Sequence, residues 1–166
     1  MFIGIDPGLT GALAVLDDEG AYMHVYDTPY IWRLRERPRK ARVRLPDCVT
    51  MASLILRLVN AAQGATQLRV TIETQWARPG QSAAATFITG GGYWGWLGVL
   101  AAFGVEAMDV SPQAWKREYV LLGKEKDASR GAAMGYFPTA PLSLKKHHNR
   151  ADALLLAHYG WQMRGT

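Results

Sequence analysis

The segment FIGIDPGLTGALAV, residues 2–15, decides the fold of this chain. Its two short apolar runs, residues 2–6 and 11–16, flank a turn rich in glycine and proline, and this pattern predicts a β-hairpin. The first run ends in an acid, Asp6. Because an acid is costly to bury without a partner, its place at the end of an apolar strand marks it as a candidate functional residue.

The rest of the chain predicts strands that alternate with helices. A third strand is expected at about residues 21–26, a buried strand at 68–73 and a further strand at 105–110. This order indicates an α/β protein, in which helices flank a mixed sheet made of an antiparallel meander followed by parallel strands, all in one domain over residues 1–166. Helices are predicted at about residues 47–62, 82–103 with a break at glycines 90–92, from 111 onward, 126–137 and 149–163.

A strongly basic run lies between the third strand and the first helix. The chain has a net charge of +5, and residues 33–44 alone hold seven bases against one acid. We predict a long basic loop at about residues 29–46 that binds phosphate groups, and a solvated loop that only improves solubility is the alternative. The seven bases are Arg33, Arg35, Arg37, Arg39, Lys40, Arg42 and Arg44.

Three acids stand at positions that suit a metal site. Asp6 and Glu73 end two apolar strands, and Asp152 lies near the start of the last helix. Carboxylate oxygens are the ligands that Mg²⁺ and Mn²⁺ prefer, and two such ions about 4 Å apart activate water for phosphodiester cleavage. Each acid also has a structural alternative: Asp6 could start a turn, Glu73 could form an ion pair, and Asp152 could satisfy a helix N-terminus capped by Asn149.

Five segments of the chain resemble the RuvC-type Holliday-junction resolvases of the RNase H-like superfamily, especially the short phage and bacterial members. The resemblance implies an RNase H-like fold and a metal-dependent endonuclease that resolves four-way or other branched DNA junctions. It also implies a homodimer and a site with two Mg²⁺ ions, for which Mn²⁺ can substitute. The segments are FIGIDPGLTGALAV (2–15), IETQWARPGQSAAA (72–85), VSPQAWK (110–116), KDASRGAAMGYFP (126–138) and HHNRADALLLAHYG (147–160).

The resemblance also assigns roles to individual residues. Asp6, Glu73 and Asp152 match the metal-binding acids of the family. The family usually has a fourth acid, sometimes a histidine, one helical turn before the last acid, whereas this chain has His148 and Asn149 there. We favour His148 as a metal ligand or proton carrier, and a histidine that merely faces DNA or solvent is the alternative. The neutral Asn149 is a weaker candidate ligand.

Several further residues are predicted to contact DNA. Trp76 matches an aromatic residue that is thought to stack on bases at the junction, although packing under its own loop is the alternative. Arg78 and Gln81 follow it and are candidates for contacts with phosphate or sugar. The remaining candidates for backbone contacts are basic residues of the second half of the chain: Lys116, Lys124, Lys126, Arg130, Lys145, Lys146 and Arg150.

Other functions remain open at this stage. Residues 6–10, DPGLT, also fit the phosphate hairpin of actin-like ATPases, but those proteins need two such domains and 166 residues supply one. A junction-binding protein with little or no activity is the non-enzyme alternative, favoured by Asn149 in place of an acid. An RNase H-like nuclease that acts on another branched or hybrid substrate is the third.

The glycines around Tyr93, Trp94 and Trp96 predict either close packing within the chain or a dimer interface. The single cysteine, Cys48, cannot form an internal disulfide, and the N-terminus has no basic region typical of a secretory signal. No apolar run approaches the roughly 18 residues of a membrane helix. We therefore expect a cytoplasmic protein, from a bacterium or a phage-infected cell, with no membrane partner.

Overall fold

A central five-stranded sheet organises the computed structural model, which describes residues 1–36, 41–125 and 127–165. The first three strands form an antiparallel meander, and two further strands extend the sheet in parallel on the other side of the first strand. The spatial order is β3-β2-β1-β6-β7. The strands are β1 (Phe2–Asp6), β2 (Ala12–Leu16), β3 (Tyr22–Asp27), β6 (Arg69–Glu73) and β7 (Ala107–Val110), while β4 (Tyr30–Arg35) and β5 (Ala41–Pro46) pair separately.

Helices cover both faces of this sheet. Side chains alternate along β1, so that Ile3 and Ile5 pack on one face and Phe2 packs on the other. One face is covered by α1 (Cys48–Ala61) and α2 (Ala83–Ala102), and the other by α3 (Pro112–Glu118), α4 (Asp127–Tyr136) and α5 (His148–Gln162). The predicted α/β architecture, a mixed RNase H-like sheet flanked by helices, is confirmed.

The last helix lies directly on the middle of the sheet. A Cβ atom at Gly4 of β1 would overlap the backbone of Ala153 and Ala157, and a Cβ at Gly160 would overlap the side chain of Thr71. Glycine at these two crossing points therefore allows α5 to approach β1 and β6 more closely than any other residue would. This close approach fixes where the start of α5 lies relative to the ends of the two strands.

Two predicted features of the helices had different outcomes. The helix starts predicted at residues 47 and 111 are confirmed, because Asp47 and Ser111 cap these helices and each accepts a hydrogen bond from the backbone N–H three residues later. The predicted break at glycines 90–92 is wrong, since α2 is continuous through them. The physical reason is packing: a Cβ at Gly92 would overlap the carbonyl oxygen of Pro7, so this glycine permits contact with the β1–β2 turn.

The predicted basic loop at residues 29–46 is also wrong, because most of this segment is a β-hairpin. Tyr30–Arg35 pairs antiparallel with Ala41–Pro46. The sequence carries the signal for it, since apolar and basic residues alternate along both arms, as expected of strands with two different faces. The strands were not predicted because the high charge of the run favoured a solvated loop. Arg37, Arg39 and Lys40 lie outside the described residues.

None of the helices within the described ranges is long and apolar enough to cross a membrane.

Candidate active site

Asp6 is held at the end of β1 by the turn that follows it. Its Oδ1 accepts a hydrogen bond from the backbone N–H of Gly8, at 3.1 Å. The pKa of Asp6 is raised to about 7, mainly by burial and then by the nearby charges of Asp152 and Glu73, against the lowering effects of the Gly8 N–H and Lys116. A carboxyl group that two other acids perturb in this way lies in a carboxylate cluster.

Asp152 brings the second carboxyl group to this cluster from α5. Burial raises its pKa, while a hydrogen bond with Ser129 and the charge of Lys116 lower it. Its Oδ1 is buried and accepts no hydrogen bond from any residue that the structure describes. A buried carboxylate oxygen without a donor is costly, and a bound cation would satisfy it.

Glu73 is oriented by two side chains at the end of β6. Its Oε2 accepts a hydrogen bond from the indole N–H of Trp115, at 2.8 Å, and its Oε1 accepts one from the amide of Gln75, at 2.9 Å. Trp115 is fully buried. Neither residue was predicted as part of the site. Gln75 could have been found from its place two residues after Glu73, whereas Trp115 is 42 residues away in sequence.

The fold explains why the three acids meet. The neighbouring parallel strands β1 and β6 end at the same edge of the sheet, where open α/β sheets commonly bind their ligands. The start of α5 lies across that edge, so Asp152 joins Asp6 and Glu73. Across the described residues, no three His, Cys, Asp or Glu side chains already form a compact ligand set. The donors nonetheless fit Mg²⁺ or Mn²⁺, because they are carboxylate oxygens and one of them is buried without a partner.

His148 and Asn149 occupy the turn before Asp152, and they face different neighbours. The Nδ1 of His148 lies 3.2 Å from the carbonyl oxygen of Lys145, which can only accept, so Nδ1 donates, and in the neutral ring Nε2 then carries the lone pair. The amide of Asn149 donates to the backbone carbonyl and to the hydroxyl of Thr10, the latter at 3.1 Å. Asn149 does not cap α5, which begins at His148. It ties the helix to the β1–β2 turn instead.

A small pocket lined mainly by polar and charged side chains surrounds Asp152. It has a volume of about 170 Å³. Two lysines and His148, the candidate proton carrier, are among the residues that line it. Lys116, which was predicted to contact the DNA backbone, is close enough to both Asp6 and Asp152 to lower their pKa values, so it lies beside the acids. The lining residues are Lys116, Leu121, Lys124, Glu125, Ser129, His148, Asn149 and Asp152.

Comparison with known proteins supports this geometry. No family model matches the sequence. The chain is 38% identical over 82 residues, 48% of its length, to the chloroplastic Holliday junction resolvase MOC1 of Chlamydomonas reinhardtii, and this match spans only 9% of that protein. Thermus thermophilus RuvC in complex with a Holliday junction substrate superposes with a TM-score of 0.62 at 18% identity, covering 99% of this chain and 95% of the other. A second structure of T. thermophilus RuvC gives 0.55 at 16% identity, covering 99% and 96%.

The chain has the RuvC fold. The resemblance to RuvC-type resolvases that the motifs indicated is therefore confirmed for the fold, across nearly the whole length of both chains.

On this RuvC fold, Trp76 lies in the loop after β6 with its side chain 79% exposed. It lines a pocket of about 460 Å³ together with Gln81, Tyr93 and Trp94. Gln81 is engaged within the protein, since its amide donates to Thr89. Because the side chain of Trp76 is so exposed, it is not packed under its own loop, and the alternative prediction of such packing is wrong.

The other residues predicted to contact DNA fall into two groups: some are exposed to solvent, and others form ion pairs within the protein. Lys124, Lys145 and Lys146 are exposed near the site, as is Arg78. In contrast, Arg150 forms a bidentate pair with Asp27 of β3, with N–O distances of 2.5 and 2.7 Å. Arg130 is paired with Asp127. Lys126 lies outside the described residues.

Proposed function

We propose that this protein is a metal-dependent endonuclease that hydrolyses a DNA phosphodiester in four-way or other branched junctions, leaving 5′-phosphate and 3′-hydroxyl ends. The observation that carries the proposal is the meeting of Asp6, Glu73 and Asp152 at one edge of a RuvC-fold sheet, where the charge of Glu73 helps to raise the pKa values of both Asp6 and Asp152. The segment that matches the MOC1 resolvase at 38% identity gives it further support.

We infer that Asp6, Glu73 and Asp152 would hold Mg²⁺, with Mn²⁺ able to substitute and two ions per site. Such ions, when bound, supply an activated water and charge neutralisation at the leaving oxygen. The chain's own residues do the rest. Trp115 and Gln75 hold Glu73 in one rotamer, and the neutral ring of His148 would offer Nε2 as a proton acceptor within the pocket around Asp152. Asn149 is the less suitable ligand because its amide oxygen carries no charge, and its amide nitrogen is held by Thr10.

Branched DNA would be recognised through its phosphates and its unpaired bases. The arginines of the β4–β5 hairpin and the lysines beside the pocket would contact the backbone. Trp76 would stack on a base at the branch point, a contact worth roughly 1–3 kcal/mol. Arg150 would act indirectly, since its pair with Asp27 fixes the start of α5.

Cleavage of a synthetic four-way junction tests this proposal. With Mg²⁺ or Mn²⁺, the protein should nick the junction in preference to a linear duplex, a flap or an RNA–DNA hybrid. Asp6→Asn and Glu73→Gln should bind the junction but not cut it. Normal cutting by both variants would show that the metal-site assignment is wrong. If the wild type instead cuts the hybrid or the flap in preference to the junction, the preferred substrate is that structure and not the junction.

A junction-binding protein without cleavage activity is the second candidate. It is favoured by one observation: the place of the expected fourth acid is taken by Asn149, whose amide nitrogen faces Thr10. Tight junction binding by the wild-type chain with no cutting under either metal would support it. Recovery of activity in Asn149→Asp would then identify the missing carboxylate as the cause.

We further infer that the protein works as a homodimer through α2. Phe87 and Trp94 are 76% and 68% exposed and lie on one stripe of this helix with the exposed Gly91 and Gly98. A second copy would cover this apolar stripe and present one site to each of two scissile strands. Sedimentation of Trp94→Glu as a monomer, where the wild type sediments as a dimer, is the expected result. A cytoplasmic location also remains our proposal, supported by the free Cys48.

A further inference from the structure

One face of the β4–β5 hairpin combines aromatic rings with arginines. Residues directly opposite in an antiparallel pair share a face, and Trp32 is opposite Arg44 while Leu34 is opposite Arg42. Tyr30 continues the same face. Tyr30, Trp32 and Leu34 are 43%, 50% and 54% exposed, so this face, which we call the ladder face, is open to solvent.

The rings and guanidinium groups of the ladder face are stacked on one another. The guanidinium of Arg42 lies 5.0 Å from the centre of the Trp32 ring, and that of Arg44 lies 5.2 Å from the Tyr30 ring and 5.9 Å from the Trp32 ring. Cation–π contacts at such distances restrict the long arginine side chains. Because the stacked group keeps its N–H donors at its edge, each arginine remains able to bind an acceptor.

These arginines lack an acidic partner. Within the described residues, the ion pairs that form involve Met1, Arg130 and Arg150, and none of them includes a hairpin arginine. The opposite face of the hairpin is different, because Ile31, Val43 and Leu45 are half-buried there and β5 lies against α2. The ladder face thus combines unpaired positive charge with open rings, whereas the opposite face carries the exposed Arg33 and Arg35 beside half-buried apolar side chains.

We propose that the ladder face binds unpaired nucleotides of a single strand, with bases stacking on Trp32 and Tyr30 and phosphates accepting from Arg42 and Arg44. Alternating rings and cations along an exposed strand are the chemistry by which single strands are held. An apolar protein partner suits this face less, because it would leave the guanidinium donors without acceptors. The inference rests on the proposed function insofar as it concerns DNA branches, but it locates a second contact region on strands that carry none of the three acids.

Binding to a labelled oligothymidylate and to a matched duplex, measured by fluorescence anisotropy in EDTA, tests the proposal. Trp32→Leu keeps the charge of the face but removes a stacking ring. It should weaken single-strand binding at least about fivefold, because one base loses its stacking partner, and should not weaken duplex binding to the same extent. Trp32→Phe keeps a ring and should restore most of the affinity. The matched control Arg33→Gln, on the opposite face of the same hairpin, should weaken both ligands in parallel.

Equal effects of Trp32→Leu on single strand and duplex, or no effect on either, would overturn the proposal, provided that circular dichroism shows a wild-type fold. If Trp32→Leu instead abolishes binding to vesicles of anionic lipid and leaves oligothymidylate binding intact, the face is a membrane contact. Failure of the wild type to cut junctions would overturn the proposed nuclease function but not this inference, since the measurement needs neither metal nor cleavage.

Discussion

The indole N–H of Trp115 donates a hydrogen bond to Oε2 of Glu73 at 2.8 Å, across 42 residues of sequence. Trp115 is fully buried, so its ring cannot turn away, and the carboxylate that it holds ends β6. Gln75 holds the other oxygen of the same carboxylate. Trp115 is therefore a positioning residue: it acts on the proposed metal site through Glu73.

Replacing Trp115 by another aromatic residue should lower the affinity for metal while the protein stays folded. Trp115→Phe keeps a ring in the core but removes the N–H, and we expect Mn²⁺ affinity to fall by about 10- to 100-fold, the usual effect of losing such a supporting group. Isothermal titration with Mn²⁺ measures this directly. Trp161→Phe is the matched control, since it removes an indole N–H bond to Asp18 away from the acids. A role for Trp115 limited to packing would leave the Mn²⁺ affinity of Trp115→Phe unchanged.

The close crossing of α5 over β1 should make Gly4 intolerant of any side chain. A Cβ there would overlap the backbone of Ala153 and Ala157, so Gly4→Ala should lower the free energy of unfolding by about 3 kcal/mol or more. Urea denaturation gives this value. Gly131→Ala in α4 is the control, because nothing lies within 4 Å of a Cβ at that exposed helical position and alanine there should be neutral or stabilising. Similar losses in both variants would contradict the packing explanation.

The sequence predicted the site where local signals were sufficient. Asp6 and Glu73 were found because each ends an apolar strand, and strand ends of a parallel pair meet at one edge. Trp115 was not found, since a hydrogen bond between distant segments leaves no local pattern. The same limit applies to Asn149, whose contact with Thr10 depends on how α5 crosses the sheet.

The β4–β5 hairpin was missed for another reason. Its charge suggested a solvated loop, although alternation along both arms is typical of strands. In α2, glycines 90–92 suggested a helix break, because glycine is a poor helix former. Helix packing overrode that local preference, since Gly92 contacts the β1–β2 turn. In the hairpin one local signal obscured another, whereas in α2 long-range packing overrode a local preference.

The pair between Asp27 and Arg150 should give the protein a pH-dependent contribution to stability. The hydrogen bond from Arg150 holds the pKa of Asp27 below its usual range. Because the folded-state pKa is lowered, the contribution is present above the unfolded pKa of about 4 and is lost as the pH falls through the folded value. Asp27 is more than half exposed, so we expect less than about 1 kcal/mol.

Urea denaturation of wild type and Asp27→Asn at pH 7 and at pH 2.5 checks this prediction. The two proteins should differ at pH 7 and converge at the lower pH. Asp17→Asn provides a control elsewhere on the surface that also removes one carboxylate. A difference that persists unchanged at the lower pH would show that the effect of Asp27 does not depend on its ionisation.

The hairpin arginines should set the salt dependence of DNA binding. Arg33 and Arg35 are exposed on β4 and form no ion pair with any described acid, so each is free to neutralise a phosphate. In Arg33→Ala/Arg35→Ala, the slope of log affinity against log salt should become shallower by about 2, since each phosphate contact contributes about 0.9. Junction binding in EDTA over a salt series measures the slope. Arg57→Ala/Arg69→Ala removes the same charge from exposed positions away from the hairpin and should change the slope less. If the two double variants give the same slope, only net charge matters and the hairpin makes no specific phosphate contact.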